Sequence, residues 1–239
     1  MKKLLLLFTY FLTIFLSLKC KVSKPPINEG EAIELVRTLW HMGNNKDTPN
    51  ITIKERAWYQ DSIGITELCR INFVETDTSK YVYISTTGYR FVNLKQKRVY
   101  EYTSFSDTAA LKRKYRYTDT TEFIAGWNFT TKPRIGADSL TQLTDTLIDK
   151  TVYTRCKFEE DLFNNICWFR CDKKNMYFTL SREISDRIGC PVFFFSSYPI
   201  KNPDRKHEQK INLISQRFPD SVQKVFNAWK KNELKYPIE

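Results

Sequence analysis

Between Ile51 and Thr103 the chain returns again and again to one pattern, short runs of alternating apolar and polar residues separated by turn-forming residues. The runs fall at 51–59, 67–75, 81–85, 89–92 and 99–103. A period of two puts every second side chain on a buried face and exposes the rest, which specifies strands. The separators are short: Asp61-Ser62-Ile63-Gly64, Thr86-Thr87-Gly88 and residues 93–98. Connections of this length pair each strand with the next, so the region reads as an antiparallel meander. Strand patterns resume at 144–158, 166–171, 176–180 and 191–195, with turns at 159–165 and 172–175.

Composition agrees with broad, half-buried sheet. The chain has 17 Phe, 13 Tyr and 5 Trp but only 7 Gly, which argues against a loop-rich or repeat fold. Helical spacing appears at the two ends. Ala32, Ile33, Val36, Leu39 and Trp40 predict a first helix over 31–42, capped by Asn28 and ended by Gly43-Asn44-Asn45. Val222, Val225, Phe226 and Trp229 predict a terminal helix capped by Asp220. Shorter helical pieces are expected at 109–117, capped by Asp107, and at 123–127, with a loop at 129–138. Residues 201–210 read as a polar extension. The expected fold class is α+β, a single curved antiparallel sheet (a half-barrel) with covering helices, preceded by a leader.

Lys2 and Lys3 followed by an uncharged apolar run over 4–18 have the form of a signal peptide, and the run is short for a bilayer span. Leu16-Ser17-Leu18-Lys19-Cys20 resembles the processing site of bacterial lipoproteins, which makes Cys20 the candidate for lipidation. Plain secretion and an uncleaved anchor are the alternatives. The expected organisation is a signal peptide at 1–19, a tether at 20–30 and one domain at 31–239, long enough for a single substantial core. The expected location is the cell envelope, in the periplasm or at the outer membrane, held to the membrane surface by the lipid on Cys20.

The net charge is +11, of which Lys2, Lys3 and Lys19 supply three, leaving +8 on residues 20–239. Basic clusters sit at 95–98, 112–116 and 205–207. A secretory leader removes nucleic acid as a partner. The clusters then read as solvated surface or as attraction to anionic lipid head groups.

The strand order resembles that of the periplasmic lipoprotein-carrier and receptor superfamily, LolA/LolB-like proteins. The similar stretches are 31–42 as an N-terminal amphipathic helix, and 81–102 as short paired strands with a basic turn before the last. Two more are 145–153, with Lys150 where the family has glycine in the turn, and 168–177 as a hairpin with an Asp-Lys turn. The resemblance covers residues 30 to 200 and implies an unclosed half-barrel with helices as a lid over an apolar cavity. It also implies a monomeric, non-catalytic binder of lipid or lipoprotein acyl chains, with no cofactor. In such a fold Tyr81, Tyr83, Phe91, Tyr100, Tyr102, Trp168, Tyr177 and Phe193 are the cavity-lining candidates. The alternative for each is ordinary core packing. The alternative function is an envelope or surface protein-interaction module without a lipid ligand.

Catalytic chemistry finds no support in the motifs. Five cysteines follow Cys20, and none forms a Cys-x-x-Cys pair. They read as buried small residues, as one structural disulfide, or as a redox or metal site. Cys156 and Cys167, flanking one turn, are the disulfide candidates. His41 and His207 have no ligand-spaced neighbours, and no nucleophile elbow, zinc helix or phosphate loop occurs. The expectation is therefore a protein that is not an enzyme and binds no metal.

Overall fold

The computed structural model describes residues 29–39, 51–75, 80–117 and 139–238. The leader, Cys20, the tether, the expected helix at 123–127 and the loop at 129–138 lie outside the described residues. The strands are β1 (Glu29–Leu39), β2 (Ile51–Gln60), β3 (Ile63–Glu75), β4 (Lys80–Asn93), β5 (Arg98–Tyr102) and β6 (Leu111–Arg116). They continue with β7 (Thr141–Ile148), β8 (Thr151–Glu160), β9 (Phe163–Phe169), β10 (Val192–Pro199) and β11 (His207–Arg217). Helix α1 (Arg182–Ile188) precedes β10, and α2 (Asp220–Lys235) follows β11.

All eleven strands form one unclosed antiparallel sheet in the order β6-β5-β4-β3-β2-β1-β11-β10-β9-β8-β7. The first and last strands pair at its centre, and its two edges, β6 and β7, are consecutive in sequence. Strand twist accumulates across a sheet this wide and makes it coil.

The first element is a strand, not the expected helix. Ile33 and Leu35 point to one face and are fully buried, while Ala32 is buried on the other. A central strand covered on both faces carries apolar residues at adjacent positions, and that pattern imitates helical spacing. The expected helix at 109–117 is likewise the edge strand β6. The expected turn at 86–88 is a bulge inside one long strand, marked by a register shift at Leu68/Cys69 and by Gly88 at φ 157°. The expected strand at 144–158 splits into the β7–β8 hairpin, whose turn holds Asp149 and Lys150 at φ 48° and 64°. The supposed polar extension ends in β11, which pairs with β1 from His207 to Arg217.

The two faces of the sheet are covered differently. On the inner face, Ile33, Leu35, Ala57, Tyr59, Val99, Phe158 and Phe169 form a core that the β9–β10 connection packs against. Within that connection Phe178 stacks on Tyr59, ring centroids 5.1 Å apart. Gly64 makes room for it, since a Cβ there would lie 2.3 Å from the Phe178 ring. The stretch 176–180, expected as a strand, is this buried crossing and has no place in the sheet. Ser181 caps α1, Gly189 ends it at φ 75°, and a Cys171–Cys190 disulfide closes the connection. On the outer face, α2 lays Val222, Val225, Phe226 and Trp229 against Ile65, Phe91, Tyr100 and Tyr102, the stripe its periodicity predicts.

Candidate binding site

Alternation along β9 and β10 builds an aromatic site on the outer face, beyond the reach of α2. Cys167 and Phe169 are buried in the inner core, so Trp168 points outward. Its ladder partner Phe194 meets it edge-on, with ring centroids 4.4 Å apart. A register shift between Val192 and Phe194 leaves Phe193 as an extra residue beside them. Together with Tyr153 and Ile148 these residues line a cavity of about 290 Å³, whose charged lining residues are Lys210 and Asp149. The Arg170 guanidinium lies 5.2 Å from the Phe193 ring centroid and 5.8 Å from that of Tyr153. Asp172 holds it through two hydrogen bonds of 2.7 and 2.5 Å, which push the Asp172 carboxyl below and the Arg170 guanidinium above their usual ranges.

At the end of the β7–β8 hairpin Ile148 (46% exposed) stands on the cavity side, while Leu147 (68%) and Val152 (59%), ladder partners of each other, point to the opposite face. Ladder register extends the site sideways. Arg155, Trp168, Phe194, Lys210, Val36 and Lys54 follow one another across five neighbouring strand pairs. Cations thus flank the Trp168–Phe194 pair and Val36 on the part of the sheet that α2 leaves uncovered.

The expected cavity residues are scattered over four environments. Trp168 and Phe193 meet in the aromatic cavity. Phe91, Tyr100 and Tyr102 are fully buried beneath α2, where they pack on Phe226 and Trp229. Tyr81 and Tyr83 stand half-exposed near the start of β4, their rings 6.4 Å apart. Tyr177 is partly buried, with Lys95 and Arg182 over its ring. Sequence reasoning missed Tyr153, Ile148 and Phe194, although the unbroken run Phe193-Phe194-Phe195 was a visible signal for a bulge among aromatics.

The cysteines differ from expectation in their pairing. Cys156 and Cys167 do face each other across β8 and β9, but both are buried free thiols, and burial raises both pKa values. The disulfide joins Cys171 to Cys190 instead. The connection between them doubles back through α1, which brings the two cysteines together despite their separation in sequence.

The inner face also holds a buried ionic site. Arg37 Nη2 donates to Glu55 Oε1 at 2.6 Å, while Glu55 Oε2, Arg37 Nε and the nearby Thr66 hydroxyl are buried without partners. Burial drives the Glu55 pKa up to about 7, and the Arg37 charge opposes that rise only in part. His207, bonded to Gln209, is pushed below its ordinary range by burial, with the Arg37 charge acting in the same direction. The β2–β3 ladder ends at Ala57–Thr66. Beyond it side chains take over, with Arg56 N–H donating to Glu67 at 2.8 Å and the Cys69 thiol donating to Lys54 O at 3.7 Å. Glu67 also contributes to the high Glu55 pKa.

A larger polar groove of about 680 Å³ lies between the β2–β3 turn and residues 171–176. Glu31 there accepts hydrogen bonds from Lys173 and from the Tyr59 hydroxyl, so its charges are spent on holding the connection to β1. Among the described residues no three metal-ligating side chains converge. No known family model matches the chain, and no curated protein sequence matches it.

Proposed function

We propose that this chain is a non-catalytic binding protein of the bacterial cell envelope, and that its aromatic cavity receives an apolar group presented by another protein. The observation that carries this reading is the cavity bounded by Tyr153, Trp168, Phe193 and Phe194 beside the exposed Ile148. Aromatic pockets with an apolar surround are the usual anchors of protein interfaces. The location follows from the leader and rests on the sequence alone.

Two features favour a protein partner over a lipid carried inside the sheet. The inner face is packed by the β9–β10 connection, with Phe178 wedged between Tyr59 and Gly64. The outer cavity, at about 290 Å³, lies at the lower end of ligand-pocket sizes and suits one large side chain or the end of a tail. The lipid reading retains one specific support, the mostly apolar walls of that same cavity. Kinship with LolA/LolB-like carriers is a further proposal, supported by the single unclosed antiparallel sheet, which we read as a half-barrel.

The test is a photo-crosslinking side chain placed at Ile148 in the full-length chain, compared with the same chain carrying Trp168→Ala. A protein adduct that disappears with Trp168→Ala supports the proposal. A lipid adduct with the same dependence moves the assignment to the lipid reading. Adducts indifferent to Trp168 overturn both.

A further inference from the structure

The structure places two of the basic clusters on one surface, at the C-terminal end of α2. Arg98 and Arg116 are ladder partners across β5 and β6, and Lys112 and Lys114 follow on the same edge strand. Helix α2 arrives over this corner: the Tyr100 hydroxyl donates to Tyr236 O at 3.2 Å, and Lys114 Nζ donates to Pro237 O at 2.8 Å. The last turns of the helix add Lys230, Lys231 and Lys235, all exposed. Within 94–98, 111–116 and 229–236 the only carboxylate is Glu233, which is buried and accepts from Asn93 Nδ2 at 2.9 Å. Arg98 Nε is buried without a partner.

Two apolar groups project from among these charges. Leu234 is 83% exposed, the most exposed large apolar side chain among the described residues, and Tyr236 is 36% exposed beneath Lys235 Nζ at 5.1 Å. Leu234 follows Lys230 by four positions and Lys231 by three, so the three share one helix face. That face is opposite the stripe buried on the sheet.

We propose that this surface docks on an anionic phospholipid membrane, with Leu234 and Tyr236 entering the interface and Lys112, Arg116, Lys231 and Lys235 over the lipid phosphates. Lysines on an edge strand also discourage strand-to-strand aggregation. That role needs neither the helix lysines nor an exposed leucine between them. Basic groups around an apolar and aromatic centre match the charge and polarity of a lipid head-group region. The docking is independent of the aromatic cavity, which lies beyond the far side of the sheet centre, on β7 to β11.

The experiment uses the full-length chain carrying Cys20→Ser, which cannot be acylated there. It is floated with phosphatidylcholine vesicles and with the same vesicles containing phosphatidylglycerol. The cationic leader also responds to phosphatidylglycerol, so only the part of the increment that is lost on substituting the surface cations is assigned to this surface. That increment is expected to fall with added salt and to drop by about fivefold for each cation removed in the series Lys112→Gln, Arg116→Gln, Lys231→Gln and Lys235→Gln. Removing Lys157, on the opposite half of the sheet, leaves it unchanged. A parent chain with no increment, or a series that keeps it whole, overturns the proposal. Hydroxyl-radical footprinting of the unsubstituted surface supplies a second readout that no folding defect can mimic. Protection of Leu234 and Tyr236 by phosphatidylglycerol vesicles is expected, and unchanged labelling counts against the docking.

Discussion

Tyr102 and Trp229 lie flat against each other, ring centroids 3.9 Å apart and planes 6° from parallel. This contact joins the penultimate strand of one sheet edge to a helix at the far end of the chain. Trp229 also donates its indole N–H to Ser106 O at 3.0 Å, and its side chain is fully buried. Trp229→Ala is expected to cost about 3–5 kcal/mol, the range for emptying a large aromatic site. Trp229→Phe should cost less, on the order of 1–2 kcal/mol, because it keeps most of the stack and loses the hydrogen bond. Urea denaturation of the two variants checks the ranking.

Glu55 makes stability fall as pH rises. Its folded-state pKa is about 7, above the 4.5 of an ordinary glutamate, so between those values the folded state binds more protons than the unfolded one. Its contribution is best below pH 4.5, declines as pH rises through 7, and is constant above that. The gap corresponds to roughly 3 kcal/mol. His207 works in the opposite direction, because its depressed pKa removes stability as pH falls below 6.5. Glu55→Gln keeps an acceptor for Arg37 without the buried charge. The variant is expected to be more stable than the parent at pH 8 and similar to it near pH 4. Denaturation midpoints across this pH range are the measurement.

Strand β2 and the terminal helix were legible because each buries one face, and a single buried face imposes a clean period on the sequence. Strand β5 is buried on both faces, Val99 inward and Tyr100 under α2, and was legible from its aromatic and β-branched residues and the turn before it. Elsewhere legibility failed. Strand β1 buries Ala32 on the outer face as well as Ile33 and Leu35 on the inner one, so Ala32-Ile33 and Leu35-Val36 read as helical neighbours. Strand β11 buries Gln209 as well as Ile211, which hid its alternation inside polar composition. The crossing at 176–180 has the extended pattern of a strand, yet Phe178 spends it on filling the inner face. For the cavity, Trp168 was visible as an outward aromatic. The neighbours that complete it depend on a bulge at Phe193 and on where the β7–β8 turn comes to rest, and neither is encoded in periodicity.

The disulfide should matter most to the β9–β10 connection. Cys171 and Cys190 are 19 positions apart, and closing a loop of about that length removes chain entropy worth about 3 kcal/mol from the unfolded state. The double variant Cys171→Ser/Cys190→Ser is expected to lose about that much stability. Its amides at 176–190 should lose hydrogen-exchange protection before those of α2. Uniform loss across the chain would show that the connection does not open separately from the sheet.

Gly64 and Phe178 are coupled by steric fit, and that coupling can be measured. A methyl group at position 64 would meet the Phe178 ring at 2.3 Å, while Tyr59 stacks on the same ring. Gly64→Ala must therefore displace Phe178 or shift the strand, at an expected cost of about 1–3 kcal/mol. Phe178→Leu shortens the ring side chain and by itself should also destabilise, because it underfills the inner core. Combining the two relieves the clash with the smaller side chain, so the double variant should lose less than the sum of the singles. An interaction of about 1 kcal/mol is expected for two groups in contact. If the two losses simply add, Phe178 does not occupy the space against Gly64, and the packed inner face that favours a protein partner loses its main support.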